Sequence, residues 1–109
     1  MSCIFCKIAN KEIKSNIVHE SGNVIAFDDI APQAPCHVVV VPKKHITEMN
    51  GLGGVMEEIF KVIDKVSKIK DVDEKGFRVV MNRGDDAGQA VDHLHFHVLG
   101  ARSLKWPPG

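Results

Sequence analysis

The arrangement of hydrophobic and polar residues along this chain predicts one long helix and one buried strand. Apolar residues at positions 52, 55, 56, 59, 63 and 66 recur every three or four residues, with charged residues between them. This spacing predicts an amphipathic helix over residues 52–69, with Asn50 as its N-cap. Residues 37–41 are one histidine followed by four valines, and the run ends at Pro42. Such a run predicts a strand that is central in a sheet or covered on both faces.

Turn residues divide the remainder of the chain into shorter segments. Ser21 and Gly22 separate two extended segments, which predicts a β-hairpin. Pro32 and Pro35 exclude a helix or a central strand in their loop, because each proline lacks an N–H donor and restricts the residue before it. The predicted strands are residues 16–20, 23–28, 37–41, 77–81 and 93–99.

Five strands with one long helix between the third and the fourth predict an α+β fold with a five-stranded antiparallel sheet. Residues 3–10 are too few for an independent helix, but one or two helical turns there would place apolar side chains on one face. We therefore expect a short N-terminal helix beside the long one. The length of 109 residues is that of one domain.

The charge balance excludes partners that are attracted through long-range electrostatics. Fourteen Lys and Arg residues balance fourteen Asp and Glu residues, so no summed field attracts DNA, an RNA polymer or an anionic membrane surface. The first fourteen residues contain no apolar run of signal-peptide or membrane-spanning length, which predicts a cytoplasmic protein. Three cysteines are an odd number, and in a reducing compartment metal binding or burial is expected rather than disulfide bonds.

The candidate chemistry lies in the sequence HLHFHVL, residues 93–99, which has a histidine at every second position of its first five. Side chains of a strand alternate between two faces, so His93, His95 and His97 are expected on one face and their apolar neighbours on the other. A surface strand that is rich in histidine by chance is disfavoured, because protonated imidazoles would repel one another. Imidazole can act as a nucleophile, a general acid or base, or a metal ligand.

This motif resembles the signature of the histidine triad (HIT) superfamily, His-φ-His-φ-His-φ-φ, in which φ is apolar. The resemblance extends to IFCKI near the start, FDDIAPQAPCHVVVVPKKHI, NRGDDAGQAVDHLHFHVLG and the terminal WPPG. Together these stretches resemble the bacterial type of the histidine triad nucleotide-binding proteins, which act as nucleoside phosphoramidases. The resemblance implies a single HIT domain over residues 1–109 with the HIT-like fold. It also implies hydrolysis of the P–N bond of adenosine or guanosine 5'-monophosphoramidates.

The resemblance implies three catalytic histidines. His95 takes the place of the nucleophile, which attacks the α-phosphorus and forms a nucleotidyl-histidine intermediate. His97 would stabilise the phosphate charge or protonate the leaving group, and His37 would support the triad. A serine that eukaryotic members carry three residues before the triad is Ala90 here. Protonation of the leaving group then falls to His97, water or a backbone donor.

The resemblance also implies a set of substrate-binding residues. Asp29 is placed like the carboxylate that binds the ribose hydroxyls, and the glycine-rich loop of residues 82–89 can approach a phosphate closely. The apolar members of the set would enclose the nucleobase, although each of them is equally suited to the ordinary core. The implied substrate-binding residues are Ile4, Phe5, Ile8, Phe27, Asp29, Ile30, Asn82, Gly88, Gln89, Ala90 and Trp106.

Cys3 and Cys6 have the two-residue gap of a zinc half-site. Bacterial-type relatives complete such a pair with a histidine after Pro-Lys-x and with the first triad histidine, which here are His45 and His93. The resemblance therefore implies structural zinc, which the chemistry itself does not require. A chance pair of buried thiols is the alternative.

The tail at Trp106 carries a large aromatic residue and two prolines, but it has too few residues to fold back into its own core. This predicts a homodimer, which the resemblance also implies, with the long helix at the interface and Trp106 near the partner's nucleotide site. Three other functions remain open. They are a dinucleoside polyphosphate hydrolase of the same superfamily, a zinc hydrolase with a catalytic metal held by His93, His95 and a third histidine, and a purine nucleotide-binding module without turnover.

Overall fold

The computed structural model describes residues 3–109, which form one antiparallel sheet with a helix on each face. The strand order is first, second, third, fifth, fourth, which confirms the predicted α+β fold. Within these residues, no helix has both the length and the apolar character needed to cross a bilayer. In chain order the elements are α1 (Ile4–Ala9), β1 (Ile17–Glu20), β2 (Val24–Asp28), β3 (Cys36–Pro42), α2 (Val55–Ile69), β4 (Phe77–Val80) and β5 (Phe96–Gly100).

The central strand β3 is buried along its whole length, as its run of valines predicts. Val38 and Val40 contribute to the core under α2, whereas Val39 and Val41 contribute to a second core under α1. The alternation arises because successive side chains of a strand point to opposite faces. Both faces of the sheet are therefore covered at its centre, and the face under α1 carries the histidines described below.

Helix α2 begins three residues later than its apolar spacing predicts. Leu52 is buried in the core, but it lies outside the helix, because Gly53 adopts a left-handed φ of 46° that no continuing helix tolerates. The predicted cap at Asn50 is wrong: Asn50 lies in a 3-10 turn, Met49–Gly51, and the N-cap of α2 is Gly54, without a side-chain capping bond. Apolar spacing alone does not separate a helix from the turn that leads into it.

Strand β5 begins at Phe96 rather than at His93, so the predicted strand 93–99 is too long at its start. The Leu94 N–H donates to the carbonyl oxygen of Ile46 at 2.8 Å, outside the ladder in which Phe96 is opposite Val40. The side chains keep their alternation nevertheless. Leu94 packs in the core under α2, while His93 and His95 both lie with their rings against Phe5 of α1.

Candidate functional site

The three histidines expected to be catalytic come together where β3 and β5 pair on the face under α1. His37 Nε2 and His97 Nδ1 are 2.8 Å apart, and the ring of His95 lies edge-on to that of His97 with centroids 5.0 Å apart. Asp29 follows β2 directly, and its Oδ2 is 3.4 Å from His37 Nε2. One carboxylate and three imidazoles from three strand ends therefore form a single cluster.

A backbone carbonyl decides which nitrogen of His95 carries a proton. His95 Nδ1 is 2.7 Å from the carbonyl oxygen of His93, and a carbonyl can only accept. Nδ1–H must therefore be the donor, which leaves the lone pair of the neutral ring on Nε2. His95 is buried to 4 % exposure, so its ring has a fixed orientation. The arrangement presents a nucleophilic nitrogen at Nε2.

A backbone amide decides the corresponding question for His37 and His97. The Gln33 N–H donates to His37 Nδ1 at 3.0 Å, so the proton of neutral His37 lies on Nε2. His37 Nε2–H then donates to His97 Nδ1, which places the proton of neutral His97 on its own Nε2. His97 is consequently a hydrogen-bond donor at Nε2, the ring nitrogen that takes no part in these bonds.

Burial makes the neutral form of His97 the dominant one near neutral pH. Desolvation, with repulsion from His95 and His37, lowers the pKa of His97 from 6.5 to about 4, against a smaller opposing effect of Asp29. Burial also lowers the pKa of His37, again opposed by Asp29. The direction of the hydrogen bonds derived for neutral rings therefore holds at physiological pH.

We expect the free energy of unfolding to fall as the pH is lowered from about 6.5 towards about 4, because the unfolded chain binds a proton at His97 in this range and the folded protein does not. A His97→Gln variant, which retains an acceptor for His37, should show a shallower fall. Urea unfolding at several pH values measures both slopes under identical metal conditions. Equal slopes for the two proteins would show that His97 does not carry this linkage.

A cavity of about 180 Å³ opens beside the histidine cluster. All five apolar residues expected around a nucleobase line it, together with Asp29. Phe5, Ile8 and Phe27 also belong to the core under α1. These residues are therefore both part of the core and part of the cavity wall. Ile4 and Ile30, by contrast, are 45 % and 95 % exposed and form the open side. The arrangement suits a flat apolar group held between core side chains and solvent.

The cavity has further lining residues that sequence reasoning missed. Ile13, Lys14 and Ser15 line the same cavity, although they lie in the irregular segment between α1 and β1. That segment has neither periodicity nor a motif, so no local signal could have identified them. A larger open hollow of about 910 Å³ lies elsewhere, between the segment after α2 and the C-terminal tail, and none of the expected site residues lines it.

Gln89, one of the expected substrate-binding residues, bonds to the backbone of its own glycine-rich loop. Gln89 Oε1 accepts from the Gly84 N–H at 2.8 Å, and Gln89 Nε2 donates to the carbonyl oxygen of Val91 at 3.0 Å. The Gln89 side chain thus closes the loop, instead of leaving its amide free for a phosphate. Gly84 and Gly88 have φ of 90° and 79°, a region that favours glycine.

The remaining expected substrate-binding residues lie outside the cavity of their own chain. Asn82 is half-buried shortly after β4, and Ala90 is exposed three residues before His93. Trp106 is 81 % exposed. The structure therefore brings six of the eleven expected substrate residues into the lining of one cavity, and the loop and tail residues are not part of that lining.

Cys3, Cys6, His45 and His93 form a second cluster, in which the four ligand atoms lie within 4.8 Å of one another. The Nδ1 atom of His45 is 3.2 Å from Cys6 Sγ, and Nδ1 of His93 is 3.4 Å from Cys3 Sγ and 3.6 Å from Cys6 Sγ. A tetrahedral zinc ion with ordinary Zn–S and Zn–N lengths separates sulfur and nitrogen ligands by about 3.6 Å. The spacing of this cluster fits such an ion.

The hydrogen bonds of His93 support the same conclusion. His93 Nε2–H donates to the carbonyl oxygen of Pro42 at 2.8 Å, which leaves the lone pair on Nδ1, facing the two thiols. In the protein without metal, burial and the neighbouring Cys3 thiol raise the pKa of Cys6. A cation is the group that would favour both thiolates, so this cluster could hold a metal ion.

The ligand atoms of Asp29, His37 and His97 are also close enough to bind a metal, but the nitrogen that His37 would have to use carries a proton and has no free lone pair. His37 would have to bind through Nε2, and the Gln33 amide at Nδ1 keeps the proton of the neutral ring on Nε2. Neither cluster includes His95. The described residues therefore offer no ligand set for the alternative of a catalytic zinc bound by His93 and His95.

Fold and site together define a class of protein: an antiparallel α+β domain whose central strands place a cluster of three histidines beside a small apolar cavity, with a Cys₂His₂ cluster nearby. The chain belongs to the HIT domain family, which matches residues 10–104. Its sequence is similar to that of the 14 kDa zinc-binding protein of Brassica juncea. The two are 40% identical over 116 residues, which cover 97% of this chain and 98% of the relative.

Solved structures show the same likeness. The HIT family hydrolase from Legionella pneumophila Philadelphia 1 superposes with a TM-score of 0.93 at 41% identity, over 99% of this chain and 100% of that one. The histidine triad nucleotide-binding protein from Candida albicans gives a TM-score of 0.85 at 34% identity, over 97% of this chain and 83% of that one. The likeness extends over nearly the whole chain in both cases.

Proposed function

We propose that this protein is a nucleotide hydrolase, and specifically a purine nucleoside phosphoramidase of the bacterial-type histidine triad nucleotide-binding branch, with one HIT domain over residues 1–109. The observation that carries the proposal is the lone pair of His95 Nε2, which the carbonyl of His93 keeps free for attack. Two related structures, that of a HIT family hydrolase and that of a histidine triad nucleotide-binding protein, support the reaction class and the ligand.

The first chemical step forms a covalent intermediate. His95 Nε2 attacks the α-phosphorus, a new P–N bond forms, and the P–N bond to the leaving amine breaks. The amine departs with a proton from water or from His97 Nε2–H, since Ala90 has no hydroxyl to offer, and a proton given by His97 is returned to it by the water that later cleaves the intermediate. The positive charge on the substituted His95 ring is stabilised where Nδ1–H donates to the carbonyl of His93. Water then cleaves the intermediate, which releases the nucleoside monophosphate and restores His95.

Asp29 and the cavity account for nucleoside recognition. Asp29 Oδ1 accepts from the Ala31 N–H at 2.8 Å, and Oδ2 faces His37, so the carboxylate is held at the cavity edge. Each oxygen keeps a second lone pair, and the two can accept from two adjacent ribose hydroxyls. The purine then lies between the core side chains of α1 and β2, and the α-phosphorus faces the histidines.

A steady-state assay with adenosine 5'-monophosphoramidate and with a diadenosine polyphosphate tests this function. We expect kcat/KM to be higher for the phosphoramidate by at least about tenfold, which corresponds to roughly 1.4 kcal/mol of transition-state preference. Acid quenching in a single turnover should trap a nucleotidyl-protein. Preference for the polyphosphate would favour the related hydrolase, and binding without turnover or label would favour a binding module. Turnover that disappears within seconds of adding a chelator would indicate a catalytic metal.

We also propose a homodimer, which the exposed apolar side chains on β4 and α2 support. Strand β4 is an edge strand with half-exposed Phe77 and Val79, and on α2 Phe60 and Ile69 are 51 % and 48 % exposed. A symmetric partner would cover these side chains, and the tail with Trp106 could then cross to the partner's cavity.

Deleting residues 103–109 should therefore change the relative kcat/KM among phosphoramidates with different amines more than it changes the affinity for the bare nucleotide. The reason is that Trp106 would contact the leaving group and not the nucleoside. Exchanging the exposed Lys105 for alanine in the full chain is the matched control, and sedimentation velocity reports the oligomeric state. A monomeric wild-type protein, or an unchanged substrate profile after truncation, would contradict the proposal.

A further inference from the structure

An arginine in the C-terminal tail holds the loop that carries the Gln33 amide. Arg102 donates from Nε at 3.1 Å and from Nη2 at 3.0 Å to the carbonyl oxygen of Gln33, which lies 69 residues earlier in the chain. Its remaining branch, Nη1, donates to the carbonyl oxygen of Ser103 at 3.0 Å. Two donors that converge on one oxygen from a planar guanidinium fix the orientation of that carbonyl.

The backbone before Arg102 is arranged to direct it at this loop. Ala101, directly after β5, adopts a left-handed φ of 67°, which is uncommon for a residue other than glycine. The bend turns the chain away from the strand direction, and the next side chain reaches Gln33. Ala101 adopts a conformation that is costly for alanine, and the residue that follows it makes the two hydrogen bonds to Gln33.

The held loop determines the direction of the hydrogen bonds in the catalytic cluster. The carbonyl that Arg102 binds and the N–H that His37 Nδ1 accepts flank the same Cα atom, that of Gln33. The Gln33 side chain adds a bond from Nε2 to the carbonyl of Ala31 at 3.1 Å. Fixing the carbonyl on one side therefore limits the rotation that would withdraw the N–H on the other side.

Withdrawal of that N–H would allow the hydrogen bond between the two rings to reverse. His37 could then carry its proton on Nδ1 and accept at Nε2, and His97 would donate from Nδ1. The lone pair of His97 would lie on Nε2, where it repels phosphate oxygens and cannot give a proton to a leaving amine. The two directions place opposite partial charges at one atom facing the substrate.

We propose that Arg102 is a positioning residue that holds the Gln33 backbone, so that the His37–His97 pair keeps a single hydrogen-bond direction with the proton on His97 Nε2. Arg102 acts through Gln33 and touches neither histidine. The kinetic consequence rests on the proposed phosphoramidase function, whereas the proton positions do not.

The test compares Arg102→Lys and Arg102→Ala with Arg78→Lys. Arg78 is a matched control, because its Nη2 donates to the carbonyl oxygen of Lys105 at 3.0 Å and so holds the same tail without contacting the loop of Gln33. Long-range proton–nitrogen NMR correlations of the imidazole rings at neutral pH report which nitrogen carries the proton. Wild type and Arg78→Lys should show one tautomer each for His37 and His97, and the Arg102 variants should show mixtures.

With adenosine 5'-monophosphoramidate, the Arg102 variants should lose kcat in proportion to the fraction of the reversed tautomer, which is about tenfold where that tautomer makes up about nine-tenths of the population, with little change in KM. Arg78→Lys should stay within about twofold of wild type. Replacing the Gln33 N–H with an ester oxygen leaves Arg102 in place and should produce the same tautomer mixtures, so the proposal remains testable if an Arg102 variant does not fold.

Single wild-type tautomers in the Arg102 variants, or in the ester protein, would overturn the proposal. If the wild-type protein hydrolyses no phosphoramidate, the proposed function fails, and the NMR comparison alone still decides the role of Arg102. Mixed tautomers in Arg78→Lys as well would show that general loosening of the tail is responsible, which also overturns the specific role of Arg102.

Discussion

Replacing His95 with alanine is expected to reduce kcat for phosphoramidate hydrolysis by at least about 100-fold while the affinity for a purine nucleoside monophosphate stays within a few-fold of wild type. Loss of the ring removes the Nε2 lone pair that attacks phosphorus, and no neighbouring group offers a replacement. His97 carries a proton at its Nε2, and both ring nitrogens of His37 are already hydrogen-bonded, one to the Gln33 N–H and the other to His97. Binding should persist, because Asp29 and the apolar cavity are unchanged.

Initial rates over a range of substrate concentrations, with nucleotide affinity from calorimetry, separate these two effects. His19→Ala is the matched control, since His19 lies on β1 and belongs to neither histidine cluster. It should retain wild-type rates. A His95→Ala protein with more than about a hundredth of the wild-type kcat would mean that another group performs the attack, and the absence of a trapped nucleotidyl-protein in wild type would point the same way.

Removal of a metal from the Cys₂His₂ cluster is expected to produce the largest change in stability. Protein purified without chelators should contain about one zinc ion per chain. Free zinc at about a thousand times its Kd contributes about 4 kcal/mol. For a domain of about 100 residues, each kcal/mol corresponds to about 4 °C or more in Tm. Chelation, or a Cys6→Ser exchange, should therefore lower Tm by about 15 °C.

The position of the cluster explains why this loss should also affect ligand binding. Cys6 lies in α1, whose Phe5 and Ile8 form one wall of the cavity, while His45 and His93 lie beside the ends of β3 and β5. An ion at this point would join the short helix to the sheet. Since a six-residue helix is not stable alone, its release should weaken nucleotide affinity as well as lower Tm.

Metal analysis and melting curves with and without chelator test this prediction. Cys36→Ala is the matched control, because Cys36 is a buried thiol of the core under α2 and lies outside the cluster. Its zinc content should equal that of wild type, and its Tm should still fall on chelation. Absence of metal in the purified protein, with no effect of added zinc on Tm, would show that the thiols are structural.

Much of the fold could be predicted because its signals are local. The run of four valines has no hydrophilic face, so a strand covered on both sides was the consistent solution, and the structure buries all of β3. The three-and-four spacing likewise required a helix with one buried face, and α2 buries Ile59, Ile63 and Val66. Such periodicities follow from backbone geometry within a few residues.

The boundaries depended on distant partners and were predicted less well. Strand β5 begins where Phe96 meets Val40, and the residues before it bond to a turn after β3 instead. The start of α2 depended on the left-handed Gly53, which apolar spacing does not register. A boundary is a competition between local preference and the bonds that tertiary neighbours offer.

By itself the sequence determined which residues could carry the chemistry: alternating histidines, a two-residue cysteine gap and a carboxylate after a strand. For His95 the deciding carbonyl, that of His93, is only two residues away, but for His37, His93 and His97 only the tertiary structure decided which nitrogen is free. That choice depends on a carbonyl at Pro42, an amide at Gln33 and a guanidinium at Arg102, far apart in the chain. The reason is physical, because a neutral imidazole has one donor and one acceptor, and the backbone groups that meet it in the folded protein select between them.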